Sequence, residues 1–584
     1  MREISNPGPA PAWQLWRNPI LRRYCRTRLR PRTLGATVLI TLLLAGFTFA
    51  MTRTIAINTM GRSYVNGPKG AWTQVYNPPD MADVERVPLI PLLVIQAVIL
   101  FIVATGQVAG GMTADADEKT MDYVRLSPMT PLAKVLGYLF GLPIREWLMF
   151  ALTLPFTAWG LWKGNVAAGH WVPVYAVMLT AAVLYHLTGL TAGTVMKNRR
   201  WAFLVSMGGV FLLYSVVPQL GKFGLVYFEY LTVWPVVTEN FHGFMPVTAG
   251  AAVKTAQDLI GKARFFDLDM PQVAFTLLSQ LVLCLTFIVM LWRRWRRAES
   301  HLQGKVWATG LCAWIQFVLL GCSLPLISSG KLFLSQRLGA LFSFGNVRFG
   351  NAGLNERPPA LAEATVTITI YGTVTMLAML LLAMMIAPER ETQERGVRRA
   401  AKFGKRSLRW FSDEAPAISL VLVMALCGTV GWTIFARQVI GSHWFPGQEL
   451  PGWAPWLFGL VLVTSGLTST LLYELRGNKG LFLAAIFIGV LPLLVGSVMA
   501  TASHTLAPAA VWITAASPLV APANAVAIAL PDTLGDADAL HLAGPRAFAF
   551  WQGIMVIVTL WLLMVHRKEG RARKLAAAMA PEPG

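Results

Sequence analysis

Ionisable residues inside apolar runs are where this chain could do chemistry, because a charge or titratable ring in hydrocarbon is costly without a partner or a task. The 584-residue sequence holds few of them. Arg145 and Glu146 stand side by side near one end of an apolar run at 140–162. There they either touch a substrate or form an ion pair at the membrane interface. His186 is alone in the run 172–195, and a solitary imidazole serves either as a proton relay or as a hydrogen-bonded packing residue. No HExxH helix, paired His/Asp set or nucleophile motif in a coherent place accompanies these three. Cys25, Cys284, Cys312, Cys322 and Cys427 lack the paired spacing of a metal site or disulfide framework. The reading therefore assigns no catalytic residue and no metal ligand. Only the segment 218–272, with Glu229, Glu239, His242, Asp258, Asp267 and Asp269, could hide an acid, base or metal cluster. A phosphate cradle of the GxxxxGK[ST] type is missing, since the Gly-Lys pairs starting at 221, 261, 304, 330 and 404 are followed by Phe, Ala, Val, Leu and Arg.

The elements that would position such residues are set by composition. Hydrophobic residues make up 55% of the chain and charged residues 14%, against about 25% charged in soluble proteins. Mean hydropathy is +0.54. This is the signature of an all-α polytopic membrane protein with little or no soluble domain. Twelve runs are long enough to cross a bilayer: 33–51, 87–110, 140–162, 172–195, 201–217, 274–292, 306–328, 364–387, 416–436, 454–473, 481–500 and 547–565. The stretch 507–529 is also apolar, but Pro508, Pro518 and Pro522 interrupt it.

The net charge of +21 reports orientation and not a nucleic-acid partner, because the basic residues gather at the ends of apolar runs. Twelve spans with both termini cytoplasmic put 35 of the 50 lysines and arginines inside and 15 outside. A thirteenth span at 507–529 would weaken that bias to 31 against 19. The stretch is therefore expected to be a re-entrant or surface hairpin on the outer side. Arg22, Arg23, Arg26, Arg28, Arg30 and Arg32 precede the first run, which reads as a retained signal anchor.

Corresponding runs in the two halves begin at 33 and 306, 87 and 364, 201 and 481, and 274 and 547. The near-constant offset predicts a parallel repeat of two six-span halves. The organisation expected is a cytoplasmic interfacial amphipathic segment at 1–32 and a first half at 33–298. A second half at 299–584 ends in a short basic tail.

Between the second and third runs lies "GMTADADEKTMDYVRLSPMTPLAKVLGYL", residues 111–139. Asp115 and Lys119, and Asp122 and Arg125, have spacings at which side chains meet on a helix, predicting one from about Ala114 to Leu126. Ser127-Pro128 stops it, and Thr130-Pro131 supplies the cap and first residue of a new helix. Met121, Val124 and Leu126 would form an apolar surface beside Asp115, Asp117, Glu118 and Asp122. Such a surface suits docking on another protein, and equally a solvated loop helix.

The order Glu118, Thr120, Met121, Leu126, Pro128, Lys134, Gly137 resembles the cytoplasmic signature of type-2 ATP-binding-cassette (ABC) exporter permeases, with Lys119 where that family usually has glycine. In "NPILRRYCRTRLRPR", Asn18 can cap and Pro19 start a helix with Ile20, Leu21 and Tyr24 on one side and Arg22, Arg23 and Arg26 on another. It resembles the interfacial helix of the same permeases, with Trp13 and Trp16 as anchors. The family resemblance covers residues 12–298. In the second half, Glu391, Glu394, Arg395 and Gly396 mark either a degenerate second coupling segment or an inner-leaflet anchor.

The resemblance implies a permease subunit in a bacterial cytoplasmic membrane, with 111–139 coupling to a separate ABC ATPase subunit that carries ATP and magnesium. Asp115 and Asp122 belong to the same coupling element, and further membrane or periplasmic components are compatible with it. The bilayer is the other partner, and this chain would bind no cofactor itself. Two other classes remain open. One is a twelve-span secondary transporter, although the Gly-x-x-x-Asp-Arg-x-Gly-Arg-Arg signature of that class is absent between the second and third runs. The other is a polytopic membrane enzyme built on 218–272.

Overall fold

The computed structural model describes residues 14–66, 72–76, 78–246, 263–297, 300–333, 359–403, 410–531 and 538–579. Two compact units divide the chain. One comprises residues 1–220, 228–263 and 269–298, and the other 221–227, 264–268 and 299–584.

In the first unit α1 (Pro19–Arg28) leads to α2 (Pro31–Met60), and each begins on the proline that favours the first helical position. Along α2, Leu39, Ile40, Leu43, Phe47 and Met51 are exposed, whereas the small residues Ala45 and Ala56 are buried. A helix that turns its large apolar side chains outward is unstable in water and suited to hydrocarbon. After α2 an antiparallel hairpin, β1 (Arg62–Asn66) with β2 (Trp72–Tyr76), pairs Arg62 with Tyr76.

α3 (Met81–Asp117) follows, then the short α4 (Thr120–Leu126), α5 (Pro131–Gly141), α6 (Ile144–Lys163), α7 (Ala168–Val195), α8 (Arg199–Ser215), α9 (Trp234–Phe244) and α10 (Gln272–Arg296). α3 and α7 form the centre of this unit. Gly189 and Gly193, four apart on α7, let the backbones approach: a Cβ at these positions would lie 2.9 Å from Thr105 O and 2.7 Å from Ala109 O. Gln96, buried in α3, is fully occupied, donating to Thr153 and Thr157 at 2.9 Å each and accepting from the Tyr175 hydroxyl at 2.8 Å. At the far end from α4, Arg53 pairs with the buried Glu85 at 2.7 Å, and Arg86 donates to the carbonyls of Gly164, Asn165 and Met245.

The second unit contains α11 (Lys305–Ser323), α12 (Leu361–Ile386), α13 (Arg390–Lys402), α14 (Ile418–Ile440), α15 (Ala454–Ala502), α16 (Ala507–Thr514), α17 (Ala521–Ala529) and α18 (Asp538–Met579). Its core is aromatic. Trp432 stacks on Phe458 at 4.3 Å and Tyr371 on Phe435 at 4.4 Å. Gly372 provides the room, since a Cβ there would meet Phe458 at 2.9 Å. Gln316 accepts from Tyr371 at 3.0 Å and donates to Thr375 at 3.2 Å.

Among the described residues ten helices are long and apolar enough to cross a bilayer, and α5 with α6, bent by 54°, makes a further candidate. The chain is thus an all-α, multi-pass membrane protein. α15 is 49 residues long, on the order of 73 Å at helical rise, more than twice the ~30 Å hydrocarbon thickness. It breaks at Gly477 (φ 69°, ψ −165°), between the runs expected at 454–473 and 481–500. The stretch 507–529 forms two short helices, α16 and α17, and Ser517 between them donates to Gly489 O at 2.5 Å.

Candidate functional site

The insert at 111–139 folds as helix, break, short helix, stop and restart. Lys119 adopts a left-handed conformation (φ 56°), which ends α3 and swings α4 out of line. This corrects the expectation of one helix from 114 to 126: the break falls at Glu118 and Lys119. It also removes the expected Asp115–Lys119 pair.

Asp115 turns inward instead. It accepts from the Tyr24 hydroxyl at 2.6 Å and the Tyr138 hydroxyl at 3.0 Å, and Arg23 lies 3.4 Å away. Burial, reinforced by the negative charge of Asp115, pushes the Tyr24 phenol well above its ordinary range, so it remains a hydrogen-bond donor.

The downstream features form as the spacing predicts. Asp122 pairs with Arg125 at 2.7 Å, Ser127 is extended, and the Thr130 side chain accepts from Ala133 N at 3.2 Å. Pro131 is the first residue of α5. Lys134 donates to Arg125 O at 2.9 Å, closing the last turn of α4 from the start of α5. Arg125 also lies over the Trp295 ring, which stacks on Tyr138 at 5.3 Å.

Met121 is buried at 6% exposure and cannot belong to a docking surface, which corrects the apolar face assigned from the sequence. The exposed residues are Tyr123 at 76% and Leu126 at 85%, with Asp117, Glu118, Asp122 and Pro128 also at the surface. Thr120 is half-buried.

α1 lies on α5. The Asn18 side chain accepts from Ile20 N at 3.0 Å and Leu21 N at 3.5 Å, and its amide donates to Ala133 O at 2.6 Å. One residue thus caps α1 and fastens it to α5. Gly137 and Gly141 permit the contact, since a Cβ on them would approach Asn18 to 2.7 Å and Tyr24 to 2.9 Å. Ile20 and Tyr24 are buried, while Trp16, Pro19, Arg22, Arg23 and Arg26 are exposed. Trp13 lies outside the described residues.

Arg145 and Glu146 form an ion pair at 2.9 Å with Glu146 fully buried. His186 Nε2 bonds the Leu100 carbonyl at 3.0 Å, and the ring sits edge-on to Trp147. In α13, Glu394 pairs with Arg390 at 3.1 Å and Glu391 with Arg395 at 3.5 Å. Gly396 packs so closely on Glu414 that a Cβ would lie 2.5 Å from it.

Sequence reasoning missed Tyr24 and Tyr138 as partners of Asp115. It also missed Gln393, which accepts from Arg573 at 2.6 Å, and Glu474, which accepts from Ala417 N at 2.9 Å and lies 2.9 Å from His566 Nε2. Each of these pairs except Asp115 with Tyr138 joins residues more than fifty positions apart, so no local spacing could reveal them.

In 218–272, Asp258 lies outside the described residues. No group of three or more His, Cys, Asp or Glu able to hold a metal occurs among the described residues. The second unit carries an open, apolar cavity of about 430 Å³ lined by Leu457, Leu460, Ile528, Phe548 and Val556, with Trp453 and Gln552 among its walls. That is within the usual range for a small-molecule site. Comparison with family models, with curated proteins and with solved structures finds no match for this chain.

Proposed function

We propose that this chain is the membrane permease subunit of an ABC exporter, with two six-span halves in one polypeptide, both termini cytoplasmic, and the 111–139 insert coupling to a separate ATPase subunit. The observation that carries this reading is the braced, exposed tip of α4. Tyr123 and Leu126 project beside Glu118 and Asp122, while the base of the element is held by Lys134 on Arg125 O and by the Asp115 cluster. An exposed aromatic and leucine flanked by acids suit a partner groove that is apolar with a basic rim. Because α3, α4 and α5 are tied together, displacement of the tip would move the adjoining spans as a unit.

ATP and magnesium belong to the partner in this reading, since the chain has no Walker A sequence. The apolar cavity supports a lipid-like or otherwise amphipathic cargo. The bacterial cytoplasmic membrane is the location that the resemblance implies.

The test is affinity purification of the tagged chain from its native cell in mild detergent, beside a Tyr123→Asp, Leu126→Asp variant. Both positions are exposed, so the variant should keep the elution profile and melting temperature of the wild type. Wild type should recover an ATPase with a Walker A sequence, and the variant at least about tenfold less, as expected when interface anchors are lost. Failure to recover any ATPase, under conditions that retain a known ABC complex, would sink the proposal.

A further inference from the structure

The segment joining α12 and α14, which the sequence leaves open as a second coupling segment or an inner-leaflet anchor, carries a surface that distinguishes the two. Between Arg395 and Phe411 the sequence has seven basic and no acidic residues. One face of α13 is committed inward through Gln393, held by Arg573, and through Gly396 against Glu414. Arg398 and Lys402 are exposed on the helix, and Phe403, Trp410 and Phe411 are 68%, 73% and 59% exposed.

Three large aromatic rings in water are unfavourable unless something apolar covers them. The loop cannot stray far from the bilayer, because a candidate span ends at Ile386 and another begins at Ile418. Its return is pinned as well: His301 bonds Asp413 O at 3.0 Å, Lys305 donates to Ala415 O, and Glu474 accepts from Ala417 N. Aromatic rings at headgroup depth with cations beside them match an anionic lipid surface in both polarity and charge. A protein groove could take the rings, but the tether favours the membrane, the apolar phase already within reach.

We infer that α13 together with Phe403, Trp410 and Phe411 forms an anionic-lipid-binding anchor, the three rings seated among headgroups and Arg398 and Lys402 on the lipid phosphates. This does not rest on the transporter reading, only on the chain being a multi-pass membrane protein.

The experiment uses the full chain with its five cysteines replaced and one introduced by Ala401→Cys, labelled with an environment-sensitive fluorophore. It is placed in nanodiscs of zwitterionic lipid and of lipid with about a third anionic headgroups. The expected result is a blue-shifted label whose quenching by the neutral quencher acrylamide falls at least about tenfold in the anionic discs. In ~1 M salt, where charges are screened beyond about 3 Å, that protection should disappear. Arg398→Glu with Lys402→Glu should abolish the lipid dependence while leaving the melting temperature within about 2 °C of the parent. Equal accessibility in the two lipids would overturn the proposal. So would protection that arises only on adding a soluble partner protein, which would make the surface a protein-docking site. The lipid and salt comparison on the parent chain decides the matter even if the double variant fails to fold.

Discussion

Asp115 shows how one carboxylate can decide the placement of a whole helix. Two phenols and a guanidinium converge on it, and hydrogen bonds to a charged group contribute about 1.5–3 kcal/mol each. Tyr24→Phe should therefore loosen α1 by an amount in that range, measured as faster alkylation of Cys25 in the folded protein. The pH dependence has a definite sign. Because the folded protein holds the Tyr24 proton more tightly than the unfolded chain does, its contribution is complete below the ordinary phenol pKa of about 10 and is lost as pH rises beyond it. Alkylation of Cys25 at fixed thiolate fraction should be flat to about pH 9 and rise above 10, and Tyr24→Phe should flatten the rise. Glu474 has a comparable role in the second unit. His566→Ala takes away the imidazole that lies 2.9 Å from the buried Glu474 Oε2, a loss of about 1–3 kcal/mol. Unchanged thermal stability of that variant in detergent would show that the Ala417 amide suffices.

At the scale of the element, glycines decide which helices touch. Gly137→Val would drive a branched side chain into Asn18 and Ile20, and overpacking of this kind costs about 1–3 kcal/mol. The expected outcome is a displaced α1 with α5 intact, read as increased labelling of Cys25 without loss of Lys134 protection. Gly477 has a different reason to be glycine. Its backbone occupies a region that side chains rarely adopt, although a Cβ there would meet open space. Gly477→Val should cost about 1–3 kcal/mol through backbone strain alone. A variant with undiminished melting temperature would mean that α15 runs through without a break. The same scale shows why the continuous 114–126 helix failed. Spacing alone permits an Asp115–Lys119 contact, but burying Asp115 among two tyrosines is worth more than one solvent-exposed ion pair.

For the whole molecule, the proposed topology makes predictions that do not depend on function. Single cysteines at Tyr123, Asn478 and Arg571 should react with a membrane-impermeant reagent only after the inner face is opened. Those at Asn165 and Ser442 should react in intact cells. Reaction of position 571 from outside would mean that 507–529 crosses the bilayer and that the charge bias of 35 against 15 was misread.

The sequence by itself determined that this is a helical, multi-pass membrane protein, because apolar run length and the paucity of charge are properties of the chain that no fold can alter. It also determined the Asp122–Arg125 pair, the Ser127 stop and the Thr130-Pro131 restart, since each depends on residues within four positions of one another. Only the tertiary structure decided that Met121 is core and Tyr123 surface, because burial depends on what packs against α4. It alone brought Tyr24 to Asp115, Arg573 to Gln393 and His566 to Glu474, joining residues 91 or more positions apart through the folded chain. Local chemistry is legible where the partners are neighbours along the chain, and it is lost where the fold supplies them.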